Sequence, residues 1–285
     1  MVAPPMQFSR FLRRALLSGL ACASLPILIA QEAELPPIPA DLIDDDHVRE
    51  EFGINEFTTP SIRRLFEDLD SLGTLPYDDL VRTIPGRVSP DRALVAISTG
   101  VLIADGFLAI HSEKIDAIEG IGKAILENAK SLGAKDRVSQ HASSLLEGSI
   151  EGDWETLKSE LAATQADVEA EMLLLRDSEV AHLVSLGGWI RAFHIATHSA
   201  KSSFTPERAA ILARSDIAGY YAAGLENLRP ALLKRAYVQD LLAKVSALRD
   251  ELRPLEDKPL TEADLEVLSK RSAELLAIVT GALEQ

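Results

Sequence analysis

The stretch that decides the fold is RALVAISTGVLIADGFLAIH, residues 92–111. It is apolar on nearly every side, and Ser98, Asp105 and the following Ser112 lie seven residues apart, so its polar groups share one narrow stripe. An outer helix would carry a wide polar face, so this pattern predicts a central helix covered by its neighbours. A membrane span is the weaker alternative, because Asp105 near the middle of the stretch would be costly in lipid.

Helical patterns continue on both sides of this segment. Apolar residues recur every three or four positions, and no alternating run of apolar and polar residues typical of a strand persists. The sequence therefore predicts an all-α fold, an antiparallel multi-helix bundle of about eight or nine helices, in one domain spanning residues 58–285. The expected helices are residues 60–72, 90–112, 114–132, 136–148, 154–176, 179–202, 206–227, 231–252 and 262–283.

Several helix starts carry a capping residue. A hydroxyl that caps the free amides is followed by proline at the first helical position, where the missing N–H costs nothing. Three pairs have this form: Thr59-Pro60, Ser89-Pro90 and Thr205-Pro206. Asp153 and Thr261 are expected to cap two further helices. Within the helix 206–227, adjacent Tyr220 and Tyr221 are expected to face inward and outward, one each.

The N-terminus has the composition of a secretory signal peptide, residues 1–30. Three arginines precede an apolar run over residues 15–30 that is too short and interrupted for a spanning helix. We expect cleavage after Ala30, with Ala23 as the alternative, and a location in the periplasm or outside the cell. The twin arginine in RRALL, residues 13–17, leaves Tat export open as an alternative to Sec export, and a lipid anchor on Cys22 is the less favoured variant of plain cleavage.

Charge and cysteine content exclude several classes of protein. Removing residues 1–30, which hold three arginines and no acidic residue, changes the formal net charge from −15 to −18. So much negative charge disfavours binding to nucleic acids and to anionic lipid surfaces. Cys22 is the only cysteine, so the mature chain would hold no disulfide, thiolate nucleophile or cysteine-based metal site. Residues 31–57, acidic and proline-rich, are expected to form a flexible tether.

Two features of GGWIRAFHIATH, residues 187–198, are candidates for chemistry. His194 and His198 lie four residues apart on one helical face and could share a divalent metal or a tetrapyrrole. The zinc-protease motif fails because Ile195 stands where the glutamate would be. Ordinary interfacial histidines near a helix C-terminus are the favoured interpretation.

Arg191 lies within the same apolar run, so we expect its guanidinium to point partly inward. A buried guanidinium needs a carboxylate, and Asp105 of the central helix is the predicted partner. The favoured hypothesis is a structural ion pair that fixes how two core helices cross. The alternative is a site for an anionic or carboxylate ligand at Arg191 and Asp105.

The sequence contains no nucleophile elbow, phosphate loop, dinucleotide fingerprint or repeated ExxH pair, so no catalytic residue is assigned. We therefore expect an exported, non-enzymatic helical bundle that binds a protein or small ligand in the cell envelope, without a cofactor. The first alternative is a metal- or tetrapyrrole-binding bundle that uses His194 and His198. The second is an enzyme with an unrecognised site near Arg191 and Asp105.

Overall fold

The computed structural model describes residues 62–134, 153–174 and 177–284. These residues form an all-α multi-helix bundle and contain no β-strand, which confirms the predicted fold class. In chain order the helices are α1 (Ile62–Ser71), α2 (Tyr77–Leu80), α3 (Arg92–His111), α4 (Ile115–Leu132), α5 (Trp154–Leu174), α6 (Ser178–Ser202), α7 (Pro206–Ala209), α8 (Ser215–Glu226), α9 (Pro230–Leu233), α10 (Ala236–Leu252) and α11 (Glu262–Leu283). Short 3-10 turns follow α7 and α10.

Four of the sequence predictions lie outside the described residues. They are the signal peptide, the acidic tether, the Thr59-Pro60 cap and the helix 136–148.

Helix α3 lies at the centre of the bundle, as its all-round apolar pattern predicts. Every residue from 93 to 110 is buried. The helix is long and apolar enough to cross a membrane, and its whole apolar window is buried inside the bundle. An amphipathic helix, in contrast, buries one face and leaves the opposite face exposed to solvent.

Glycines set the distance between α3 and α6, the helix pair with the most extensive contact. A Cβ atom at Gly100 would overlap the backbone of Val184 and Gly188, and one at Gly187 would overlap the backbone carbonyl of Ile97. Only glycine permits two helix backbones to approach so closely at these positions. The crossing places Arg191, in the second half of α6, against Asp105 in the polar stripe of α3.

Amphipathic helices cover this central pair. Helix α10 buries the seam formed by Leu241, Val245, Leu248 and Leu252. Helix α11 does the same through Leu265, Leu268, Leu275 and Val279, and its predicted fifth member, Leu283, is only partly buried. These outer helices contribute one face each to the hydrophobic core, as their 3-4 spacing predicts.

Asp91, not Ser89, caps α3. The Asp91 carboxylate accepts hydrogen bonds from the backbone N–H groups of Ala93 and Leu94. The Ser89 hydroxyl instead accepts from the N–H of Asp91. A carboxylate satisfies two free amides and is also stabilised by the helix dipole, which explains why it takes the cap position.

The other described caps are confirmed. Thr205 accepts from the N–H of Arg208, with Pro206 at the first helical position. Asp153 accepts from the N–H of Thr156. Thr261 forms a reciprocal capping box with Asp264.

Two predicted helices are broken in the structure. The helix expected over residues 206–227 divides into α7, a 3-10 turn and α8, and the helix expected over 231–252 divides into α9 and α10. At the first break the Ser215 amide donates to the Glu256 carboxylate, and at the second Arg235 pairs with Asp91. Both breaks are stabilised by side chains that are far away in sequence, so local periodicity does not reveal them.

Candidate functional site

The crossing of α3 and α6 brings Arg191 and Asp105 together, as predicted from the sequence. The Arg191 Nε donates to Asp105 Oδ1 at 2.7 Å. Arg191 is 1% exposed and Asp105 is 7% exposed, so the ion pair is buried. The prediction that these two residues pair across the core is confirmed.

A second guanidinium, which the sequence analysis missed, shares the same carboxylate. Arg82 lies in the loop between α2 and α3, and its Nε donates to Asp105 Oδ2 at 2.6 Å. Both oxygens of Asp105 are therefore held by arginines. Nothing in the sequence around Arg82 distinguishes it from a solvated loop arginine, because the loop has no periodicity that would orient its side chain.

The remaining nitrogens of Arg191 also bond within the protein. Nη2 donates to the backbone carbonyl of Leu80 at 2.6 Å, and Nη1 lies 2.8 Å from Nδ1 of His194. The Leu80 carbonyl ends the short helix α2, where a free carbonyl needs a donor from outside the helix. Arg191 therefore ties α3, α6 and the end of α2 to one point.

His194 is neutral in this arrangement. A guanidinium can only donate, so Nδ1 of His194 must accept and its proton lies on Nε2. Burial, and then the positive charges of Arg191, His198 and Arg82, lower the pKa of His194 to about 4. Two guanidiniums thus face one carboxylate and an uncharged imidazole, which leaves one excess positive charge in the cluster.

One buried nitrogen of this cluster has no hydrogen-bond partner among the described residues. Nη2 of Arg82 is buried and has no hydrogen-bond partner among the described residues. The arginine side chain itself is 15% exposed, so it lies at the edge of the buried cluster. A buried guanidinium nitrogen that the protein leaves unsatisfied costs free energy unless another group supplies an acceptor.

The structure places His194 and His198 near each other without completing a metal site. The ring centroids are 6.4 Å apart, and Nε2 of His198 lies 3.8 Å from a carboxylate oxygen of Asp79. Within the described ranges, no group of three or more His, Cys, Asp and Glu residues is placed to hold a metal ion. With Nδ1 of His194 bonded to Arg191, metal binding by this pair stays a prediction.

Two open recesses, each of about 540 Å³, border the segment that carries Leu80 and Arg82. The first, here called the acidic recess, includes Tyr77, Asp78, Asp79, His111, Ser112 and Lys114 in its lining. The second, here called the arginine recess, includes Arg82, Thr83, Arg87, Thr280 and Glu284. Both volumes fall in the range of small-ligand pockets.

A second buried polar group surrounds His182 on α6, to which the sequence analysis assigned no role. Tyr220 and Tyr221 of α8 are both buried beside its ring, which corrects the prediction that one faces outward. Tyr221 shares a hydrogen bond with Ser185 at 2.8 Å. Helix α10 covers another side of α8, so both tyrosines find a protein neighbour.

The His182 ring is tightly enclosed. A Cβ atom at Gly224 would overlap it, and neither ring nitrogen has a hydrogen-bond partner of good geometry among the described residues. Burial lowers the pKa of His182 to about 4, and an interaction with the Tyr221 backbone offsets only part of this effect. His182 is therefore a neutral packing residue with a strong preference against protonation.

Comparison with protein-family models, curated proteins and solved structures finds no match for this chain.

Proposed function

We propose that this protein is an exported, non-enzymatic helical bundle that acts in the cell envelope by binding a protein or a small ligand. The N-terminal composition supports export, and the acidic, cysteine-free mature chain suits a soluble binding component.

The observation that carries the non-enzymatic part is the closed bonding of Arg191. All three of its nitrogens bond to protein groups, namely Asp105, His194 and the Leu80 carbonyl. A catalytic or substrate-binding guanidinium needs donors aimed at a ligand. Arg191 with Asp105 is therefore best interpreted as a buried latch that joins core helices, which is the hypothesis that the sequence favours.

The same latch supports a binding role for the surface above it. Because Arg191 holds the Leu80 carbonyl, the segment between the two recesses is anchored to the core at its centre. Walls fixed in advance lose little conformational freedom when a ligand binds, which favours affinity. The two recesses are thus surfaces of the helical bundle with a rigid base.

Export is tested by producing the full chain in a bacterium that has a periplasm and measuring the mass of the protein in each fraction. We expect a mature chain in the periplasm that begins at Gln31. A chain that begins at Ser24 would move the cleavage site to Ala23. A lipidated chain that begins at Cys22 would show the lipid anchor, and the full-length chain in the cytoplasm would overturn export.

The non-enzymatic part is tested with chromogenic ester and phosphomonoester substrates, using wild-type protein and Asp105→Asn. We expect hydrolysis at the buffer rate for both proteins. An activity that the wild type shows and a folded Asp105→Asn variant lacks would assign catalysis to the cluster and overturn the proposal. Circular dichroism of the variant establishes whether it is folded.

A further inference from the structure

We propose that the arginine recess binds a small anion through a carboxylate or phosphate group held by Arg82 and Arg87. This assignment rests on the proposed binding function and makes it specific, because it names the recess and the chemical class of the ligand. It also moves the predicted anion site from Arg191, whose donors are used, to its neighbour Arg82.

Arg82 has a hydrogen-bond donor that no described residue satisfies. Arg82 uses its Nε for Asp105, and its buried Nη2 has no partner among the described residues. Arg82 also lines the arginine recess. Because Nη2 is enclosed in this structure, binding requires the Arg82 side chain to turn this donor toward the recess, where a guanidinium can recognise a second oxyanion through its fork of donors.

The arginine recess carries excess positive charge. The chain carries a formal net charge of −15, yet Arg82 and Arg191 share the single carboxylate of Asp105. Arg87 lines the same recess, is exposed, and forms no ion pair with any described residue. Glu284 is the one carboxylate among the lining residues. Two guanidiniums against that one carboxylate make the recess locally cationic on an acidic protein.

The rest of the recess wall includes two threonines. Thr83 and Thr280 bring hydroxyl groups to the recess, and the backbone turns there at Gly86. Thr280 donates its own proton to backbone carbonyls of α11, so the guanidiniums are the strong donors. A volume of about 540 Å³ admits an organic acid or a phosphorylated metabolite.

The acidic recess is assigned neither an anion nor a metal ion. Its carboxylates, Asp78 and Asp79, are exposed, and no described group of three metal-ligating residues lies there.

The experiment measures binding of citrate and of inorganic phosphate by isothermal titration calorimetry at low ionic strength, with acetate as a single-carboxylate probe. The protein is the mature chain, and sodium chloride at matched ionic strength controls for general salt effects. We expect saturable binding of one ligand by the wild type. Stronger citrate binding would identify a polycarboxylate ligand, and stronger phosphate binding a phosphorylated one.

Two variants with the same change in charge separate the recess from the rest of the surface. Arg87→Gln removes a recess donor from an exposed position, so folding should be unaffected, and affinity should fall about tenfold, the effect of losing about 1.4 kcal/mol from a charge-assisted hydrogen bond. Arg253→Gln removes an exposed arginine that does not line the recess and should leave affinity unchanged.

Arg82→Lys adds a test of geometry. It keeps the positive charge beside Asp105 but lacks the guanidinium fork, so we expect weaker binding. The proposal is overturned if no probe binds saturably, or if both glutamine variants weaken binding equally. Either result leaves export and the absence of turnover untouched, so failure here is distinct from failure of the proposed function.

Discussion

Replacing Arg191 with methionine should destabilise this protein far more than replacing a surface arginine. Methionine is long and flexible enough to fill much of the same space, so the change removes the charge and its hydrogen bonds with little loss of volume. The free energy of unfolding then reports mainly on the buried latch formed by Arg191, Asp105 and the Leu80 carbonyl.

The structure sets the expected magnitude. Removing one partner of a buried ion pair costs about 3 to 5 kcal/mol, because the other charge remains buried. Arg82 still holds one oxygen of Asp105 at 2.6 Å, which moves the estimate toward the lower limit. The Leu80 carbonyl loses its donor, which adds about 1 kcal/mol or more. We expect a total loss of about 4 kcal/mol.

Urea unfolding at neutral pH, followed by the fluorescence of Trp154 and Trp189, measures this loss in the mature chain. Arg253→Met is the matched control, because Arg253 is exposed, and it should change stability by about 0.5 kcal/mol or less. The double variant Arg191→Met/Asp105→Leu should lose less than the sum of its single changes, since the carboxylate that the loss of Arg191 would otherwise leave unpaired is also removed.

A loss of about 0.5 kcal/mol or less in Arg191→Met, equal to the surface control, would refute the reasoning. It would mean that Asp105 does not need Arg191, and that the two residues are not coupled in the folded protein. Additive losses in the double variant would lead to the same conclusion.

Three further predictions concern the histidines and the helix crossing. His182 has a pKa of about 4 when folded, below its ordinary 6.5, so the stability that its neutral form contributes is complete above pH 6.5 and is lost as pH falls toward 4. Between pH 8 and pH 5, this residue should lower the free energy of unfolding measured with urea by about 2 kcal/mol. In His182→Met, which cannot titrate, the fall in the free energy of unfolding over the same pH range should be smaller by about that amount. A variant whose stability depends on pH as the wild type's does would contradict the assignment. Gly187→Ala should destabilise the protein by about 2 kcal/mol or more, because the new methyl group meets the backbone of α3. Gly122→Ala on α4, where the space around the glycine is open, should be neutral or stabilising by up to about 1 kcal/mol. Equal effects of the two substitutions would disprove the close crossing of α3 and α6. Mass spectrometry of untagged mature protein should find no stoichiometric metal, because Arg191 donates to Nδ1 of His194 and the proton of the neutral ring then lies on Nε2, the other possible ligand atom. Metal that is lost in His194→Ala/His198→Ala would establish the histidine pair as a true site.

The helices and the central pair could be predicted because their signals are local. Thr261 and the 3-4 spacing that follows it predict a helix over 262–283, and α11 has these bounds. The apolar surface of residues 92–111 predicts a central helix, because such a segment is stable in water only when covered on all sides. The Arg191–Asp105 pair followed from the same reasoning, since a guanidinium in an apolar helix requires a buried carboxylate.

The tertiary structure alone decided what surrounds that pair. Arg82 reaches Asp105 from a loop whose orientation depends on the packing of the helices beneath it, and no periodicity encodes that orientation. The break before Ser215 depends on Glu256, which lies 41 residues further along the chain. Sequence patterns report which face of a helix avoids water, whereas the partners of individual polar groups are fixed only when distant segments meet. The Arg191–Asp105 pair was therefore predictable from the sequence, whereas its contacts with Leu80 and Arg82 and the recess beside it were not.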